Sequence, residues 1–214
     1  MEIVIDHIQS RSFVDGPGER MVLFLRGCPI HCPGCQNAHL WNPNGGNITD
    51  TADLATTLKT ISESTSRRAI TISGGEPFAQ TKALAYLLRD LKSYGFEDII
   101  VYTGYTWDQI ISQMSGAWLW AMEALRYIDT LVDGPFIHGQ DHNLINWRGS
   151  ANQRPINVKA SLENITDGRI VVRNWDAPEI IITQSGEALM PIGLSAAFTG
   201  LGEASDTRRC GQTR

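Results

Sequence analysis

The chain has 214 residues and a formal net charge of −5, a length for one domain with a modest appendage. Its 42% hydrophobic content can fill a core, and its acidic balance argues against the basic face that general nucleic-acid binding needs. Four cysteines in a chain this long do not make a disulfide scaffold, Glu2, Asp6 and His7 stand where a secretory signal would be apolar, and no apolar run approaches a membrane span, so a reducing cytoplasm is the expected location.

Glu2 to Ile8 alternates apolar and polar residues and predicts an edge strand. Ser10 to Arg20 reads as a loop, with Gly16 and Gly18 around Pro17. Met21 to Leu25 is a continuous apolar run, the first buried strand. It leads straight into Cys28, Cys32 and Cys35, spaced C-x3-C-x2-C, among Gly27, Pro29, Pro33 and Gly34 that bend the backbone. Thiolates this close repel unless a soft metal neutralises them. Three readings stay open. Free thiols pack well in cores, but a Pro/Gly-rich loop is a poor core. A structural zinc wants four ligands, usually in two knuckles; the fourth here would be His31, His39 or distant Cys210. An iron–sulfur cubane normally takes four cysteines; three would leave one iron open, as a substrate-binding metal site requires.

Asn37 to Asn47 is a polar connection. Asp50 predicts a helix cap with Asp53 three residues on, and Leu54, Leu58 and Ile61 mark the buried stripe that follows. Arg68 to Ser73 reads as a strand that runs into Gly74-Gly75-Glu76-Pro77. Glycines at a strand end let a ligand approach the backbone. The strand-end carbonyls and the Glu76 carboxylate are acceptors, which suits an ammonium group better than a phosphate. Thr81 to Tyr94 predicts a helix with Leu84, Leu87, Leu88 and Leu91 on one face, stopped by Gly95. Asp98 to Thr103 predicts a strand ending in Thr103-Gly104-Tyr105, and residues 107–114 and 118–127 short helices whose Trp107, Trp118 and Trp120 are core packing. Thr130 to Asp133 is a further strand before Gly134-Pro135. Strands alternating with helices predict an α/β fold with a parallel sheet. Ligands in such folds bind beyond the carboxyl ends of the strands, where the cysteines, Gly74-Gly75, Thr103 and Asp133 would converge.

Residues 137–155 read as loop. Within it His138, Asp141 and His142 are solvated polar residues, and Trp147-Arg148 is an exposed aromatic–cation pair of the kind enriched at interfaces. Arg169 to Val172 predicts a strand, and Glu179 to Thr183 with Glu187 to Ile192 a hairpin turning at Gln184-Ser185-Gly186. Leu194 to Arg214 is a polar tail carrying Cys210 as a stray thiol. The expected division is a core over 1–157 and an extension over 158–214.

The cysteine spacing after a strand resembles the radical S-adenosylmethionine (radical SAM) superfamily. Asp15-Gly16-Pro17-Gly18-Glu19-Arg20 looks like the entry motif of glycyl-radical-enzyme activases. Ser73-Gly74-Gly75-Glu76-Pro77, Tyr102-Thr103-Gly104-Tyr105-Thr106, Leu131-Val132-Asp133-Gly134-Pro135-Phe136 and Trp147-Arg148-Gly149-Ser150-Ala151-Asn152-Gln153-Arg154 are similar, in order, to the anaerobic ribonucleotide reductase-activating protein family. Ordered motifs over roughly residues 10–155 are far more specific than the cysteines alone.

The resemblance implies an open partial (β/α) barrel of the radical SAM type with mostly parallel strands, plus the C-terminal hairpin extension; a closed barrel takes about 250 residues. It implies a [4Fe-4S] cluster on Cys28, Cys32 and Cys35, and S-adenosylmethionine on the open iron, its amino group held by Gly74, Gly75 and Glu76. Gly34, Gln36, Asn37, Pro77, Thr103 and Asp133 complete the expected cofactor-binding set; Gly34 stands where the superfamily often has an aromatic residue. The implied reaction is reductive cleavage to a 5′-deoxyadenosyl radical that abstracts hydrogen from a glycine of the reductase large subunit, with a flavodoxin- or ferredoxin-type electron donor and no general acid or base. Two alternatives differ in class: a radical SAM enzyme acting on a small molecule or peptide, and an iron–sulfur electron carrier without S-adenosylmethionine chemistry.

Overall fold

The computed structural model describes residues 1–112, 119–141 and 145–176, together with the backbone of 181–182 and 188–189. Two units are separable, Met1–Pro178 and Glu179–Arg214. The first is built on an open sheet of seven strands: β1 (Glu2–Ser12), β2 (Arg20–Leu25), β3 (Asn47–Asp50), β4 (Ala69–Gly74), β5 (Asp98–Tyr102), β6 (Thr130–Asp133) and β7 (Arg154–Asn157). Their order is β3-β1-β2-β4-β5-β6-β7. The four central strands β2, β4, β5 and β6 run parallel, and antiparallel strands flank them on both sides. The fold is therefore mixed α/β, with a sheet that does not close.

Strand alternation sorts the two faces. Met21, Leu23, Leu25, Ile70, Ile72, Ile99, Val101 and Leu131 join one core with residues of the helices described: α1 (Thr51–Thr65), α2 (Thr81–Ser93), α3 (Trp107–Ser112), α4 (Leu119–Leu125) and α5 (Val158–Glu163). Leu84, Leu87, Leu88 and Leu91 of α2 are completely buried there, each worth roughly 2 kcal/mol of transfer free energy. The opposite face carries Ile100 and Val132 under Trp175, with Tyr102 and Trp147 packed alongside. Near its lower end, the buried Arg20 pairs with Asp98, and Thr71 Oγ1 donates to the Asp15 carbonyl at 2.7 Å. Helices thus cover one face and loops the other.

The local signals mostly hold. Asp50 caps α1, accepting from Ala52 N at 2.8 Å, and also binds the N-terminal ammonium at 2.5 Å. Gly95 follows α2 with φ +84°. Trp107 is buried and Trp120 packs against the core; Trp118 lies outside the described residues.

Three expectations are corrected. β1 is interior, because β3, a four-residue polar segment with no apolar pattern, pairs with it from Glu2↔Asp50 to Ile5↔Asn47. The loop expected over 137–155 ends in a strand, because Arg154–Asn157 form β7 against β6; Pro155 hid it, since proline is confined to edges of sheets. Arg169 to Val172 makes only an isolated bridge, Val172 to Ile156. Residues 158–176 pack within the first unit: Asn157 N donates to Val171 O and Arg173 N to Pro155 O, both at 2.7 Å. In the second unit, β8 (Ile181–Ile182) pairs antiparallel with β9 (Ala188–Leu189), at the place of the expected hairpin. Cys210, like His142, lies outside the described residues. Among those residues no helix is long and apolar enough to cross a membrane.

Candidate functional site

Because β2, β4, β5 and β6 are parallel, their carboxyl ends share one edge of the fold. Three of the four run into a glycine of positive φ: Gly27 (+92°), Gly74 (+99°) and Gly134 (+101°). These sharp exits turn the following loops toward one another.

The cysteine loop is closed on itself. Gly27 N donates to Leu40 O at 2.8 Å, Cys28 N to Trp41 O at 3.0 Å, Cys35 N to Cys32 O at 3.1 Å and Ala38 N to Cys35 O at 3.3 Å. His31 adopts φ +53° and stacks on Trp41 with ring centroids 4.6 Å apart. Cys28, Cys32 and Cys35 are free thiols, all half-buried. Burial pushes the Cys28 thiol up, against the backbone N–H groups of His31 and Ile30 that favour its thiolate. Gln36 is exposed and Asn37 half-buried, with the Asn37 carbonyl accepting from Leu40 N at 2.9 Å.

Among the described residues, no three His, Cys, Asp or Glu side chains gather tightly enough to hold one metal ion. A cubane takes its thiolates on separate iron corners, and three free thiols on one loop suit the cluster in number and chemistry.

The Gly74–Glu76 loop lies directly on the start of the cysteine loop. Gly75 N donates to Leu25 O and Glu76 N to Gly27 O, both at 2.8 Å. A Cβ on Gly74 would stand 2.4 Å from Leu25 O, and one on Gly75 2.3 Å from Gly27 O. The chain itself therefore demands glycine at both positions; the space is filled by neighbouring backbone. Pro77 is buried and opens a short 3-10 turn.

Glu76 is buried, and its oxygens have partners within the chain. Oε1 accepts from Phe78 N and from Thr103 Oγ1, and Oε2 from Gly104 N, all at 2.8 Å. Burial raises its pKa to about 7, against those three hydrogen bonds. No ion pair of Glu76 occurs among the described residues. Thr103 is buried as well, and its N–H donates to Val132 O at 2.9 Å. A Cβ on Gly104 would lie 2.6 Å from Ile30 Cδ1, so the β5 exit also rests on the cysteine loop.

Asp133, at the end of β6, is 1% exposed. It accepts from Trp107 N, the start of α3, at 2.7 Å, and from Arg154 Nε and Nη2 at 3.0 and 2.5 Å. Arg154 is a residue sequence reasoning missed as part of this end of the sheet. It comes from β7, and only the antiparallel register Asp133↔Arg154 places it here. Gly34, with φ +77°, faces His138: a Cβ there would stand 3.2 Å from the imidazole Nδ1. An exposed residue of the β6 loop thus reaches the cysteine loop, which no local pattern signals.

Residues 14–156 match the family described as "4Fe-4S single cluster domain". The chain is also similar to proteins named anaerobic ribonucleoside-triphosphate reductase-activating protein. It is 33% identical to that of Haemophilus influenzae over 144 residues, covering 65% of this chain and 88% of the relative. To that of Escherichia coli K12 it is 34% identical over 145 residues, covering 65% and 89%. To that of phage T4 it is 31% identical over 158 residues, covering 70% and 90%. The chain belongs to this activating-protein family.

In this activating-protein chain the domain match runs from just before the Asp15–Arg20 loop to β7, and so takes in every residue of the site above. A cavity of about 800 Å³ also opens beside Cys28, between Pro29, His31, Trp41 and Gln80. Gly74, Glu76, Thr103 and Asp133 do not line it. The Trp147-Arg148 pair, expected to be exposed, is turned inward. Trp147 packs edge-on against Trp175 and donates from Nε1 to Phe13 O at 3.1 Å. The Arg148 side chain is 9% exposed and pairs with Asp176. Tyr102 donates its hydroxyl proton to the Trp147 carbonyl, which fixes this segment over the loop-covered face.

Proposed function

We propose that this protein activates an anaerobic ribonucleoside-triphosphate reductase as a radical SAM enzyme. One observation carries the reading: in a chain of the activating-protein family, the three-cysteine loop and the Gly74–Glu76 loop are joined backbone to backbone, through Gly75 N to Leu25 O and Glu76 N to Gly27 O. Cys28, Cys32 and Cys35 hold the [4Fe-4S] cluster. When bound, the cluster would supply the one-electron reduction of S-adenosylmethionine, and with it the radical chemistry that takes hydrogen from a glycine of the reductase large subunit.

The chain supplies placement. Carbonyls at the Gly74-Gly75 exit accept the ammonium of the methionine moiety, while Glu76 keeps the Thr103-Gly104 strap against the cysteine loop. Gly34, Gln36, Asn37 and Pro77 shape the walls on either side, and the Asp133–Arg154 pair holds the β6 rim and the start of α3. The open sheet, with its described helices packed on one face, fits a partial (β/α) barrel of the radical SAM type. A flavodoxin- or ferredoxin-type protein supplies the electron. The proposed reaction requires no general acid or base.

The test is anaerobic reconstitution, reduction with S-adenosylmethionine present, and assay for 5′-deoxyadenosine, then for a glycyl radical signal on added reductase. Wild type produces both; Cys28→Ala, Cys32→Ala and Cys35→Ala produce neither. An intact cluster that yields no 5′-deoxyadenosine would overturn the reading.

A further inference from the structure

Arg26 stands between β2 and Cys28, and its side chain reaches across to the far end of the cysteine loop. Nε donates to Asn42 O at 2.9 Å and Nη2 to His39 O at 3.1 Å. Nη1 pairs with Asp6 Oδ1 on β1 at 2.5 Å. The Arg26 side chain is 19% exposed. The chain beyond the loop is fitted around it: a Cβ on Gly45 would stand 2.6 Å from Nη2, and one on Gly46 3.0 Å from Cδ. Its backbone is pinned too, with Arg26 N donating to Val4 O at 3.1 Å and Gln80 Nε2 donating to Arg26 O at 3.2 Å.

These contacts have one geometric result. The entry of the loop is already zipped to its exit by Gly27 N to Leu40 O and Cys28 N to Trp41 O. Arg26 adds two bonds to carbonyls on either side of that zipper, at positions 39 and 42, and anchors the assembly to β1 through Asp6. The planar fork can serve two carbonyls and a carboxylate at once; an ammonium on a flexible stem cannot match that fixed geometry.

We infer that Arg26 is a positioning residue for the cluster: it fixes both ends of the loop that carries the three thiolates, before the cluster is loaded and while one iron is open to ligand. This rests on the proposed reading of Cys28, Cys32 and Cys35 as cluster ligands. Groups that orient ligands in this way typically change metal retention by about 10- to 100-fold when removed.

The experiment compares wild type, Arg26→Lys, Arg26→Ala, Asp6→Asn, Gly45→Ala and Cys28→Ala after anaerobic reconstitution. It reads iron and sulfide per chain, the electron paramagnetic resonance line shape of the reduced cluster, and the rate of iron loss to a strong chelator. Arg26→Ala and Arg26→Lys lose iron about tenfold faster or more, with a broadened reduced-cluster signal. Asp6→Asn, which spares both carbonyl bonds, falls between them and wild type. Gly45→Ala displaces Nη2 and moves in the same direction with the charge intact. Wild-type iron retention in Arg26→Lys and Gly45→Ala overturns the inference, and these two decide the matter if circular dichroism shows Arg26→Ala unfolded. If wild type itself loads no more iron than Cys28→Ala, the cysteine reading fails and this inference with it.

Discussion

Glu76 and Thr103, on loops after different strands, share a buried hydrogen bond of 2.8 Å. The same carboxylate accepts from Gly104 N, and Gly104 lies against Ile30 of the cysteine loop. One acidic side chain therefore ties the exits of β4 and β5 together at the point where both meet the cysteine loop.

Glu76→Gln keeps an oxygen for Thr103 and Phe78 but turns an amide NH₂ toward Gly104 N–H. Two donors then face each other in a buried place. The expected cost is about 1–3 kcal/mol, read as a lower urea midpoint of the apoprotein at unchanged m-value. A wild-type midpoint would show that the Gly104 contact carries no weight.

The pH dependence follows from the same group. Its folded pKa, about 7, exceeds the ordinary value of 4.5. The native state thus binds the extra proton between these values, so the Glu76 contribution is most favourable below about pH 4.5. It is lost as pH rises toward and through 7, a change of about 3 kcal/mol at most. Wild-type apoprotein should lose stability from pH 5 to pH 8 relative to Glu76→Gln. Parallel stability curves for the two proteins would contradict this.

Gly75→Ala places a methyl 2.3 Å from the Gly27 carbonyl oxygen. Backbone on both sides cannot give way as a flexible side chain would. A loss of about 3 kcal/mol or more is expected, together with failure to load iron at the adjacent loop. Gly18→Ala is the contrast: nothing lies within 4 Å, and only its φ of +71° is strained. It should cost about 1–2 kcal/mol and leave iron loading intact. Thermal unfolding and iron content separate the two cases.

Arg154→Ala strips Asp133 of its cation and leaves a carboxylate that is 1% exposed with Trp107 N as its remaining partner. Stranding a buried charge costs about 3–5 kcal/mol; Arg154 is itself 38% exposed, so water relieves part of this and about 2 kcal/mol is expected. Arg154→Ala with Asp133→Asn should recover part of the loss. A double-mutant cycle by chemical unfolding checks it.

Much of this architecture is local, and local physics is legible in a string of residues. The leucines of α2 recur at helical spacing, Asp50 stands where an N-cap must, and Met21 to Leu25 is apolar enough to be only a buried strand. The cysteine loop is likewise written into the order Gly27, Cys28, Pro29, because thiol spacing and turn chemistry both act over a few residues. β1 was misplaced, and β7 and Arg154 missed, for a common reason: their partners lie far away in sequence. β3 has no apolar alternation to announce it, and Asp133↔Arg154 is a register between strands.

Gly74 and Gly75 mark the boundary most clearly. Their presence at a strand end is visible from the sequence, and a close backbone approach is the right physical meaning. What approaches them is the chain's own Leu25 and Gly27. Composition, strand and helix patterns, and the three-thiol motif came from the amino-acid order, since each depends on neighbours within a turn or two. Which loops touch, which acid meets which donor, and how Arg26 and Glu76 brace the cysteine loop were decided by packing, since parallel strands bring their exits to one edge and only there do those groups meet.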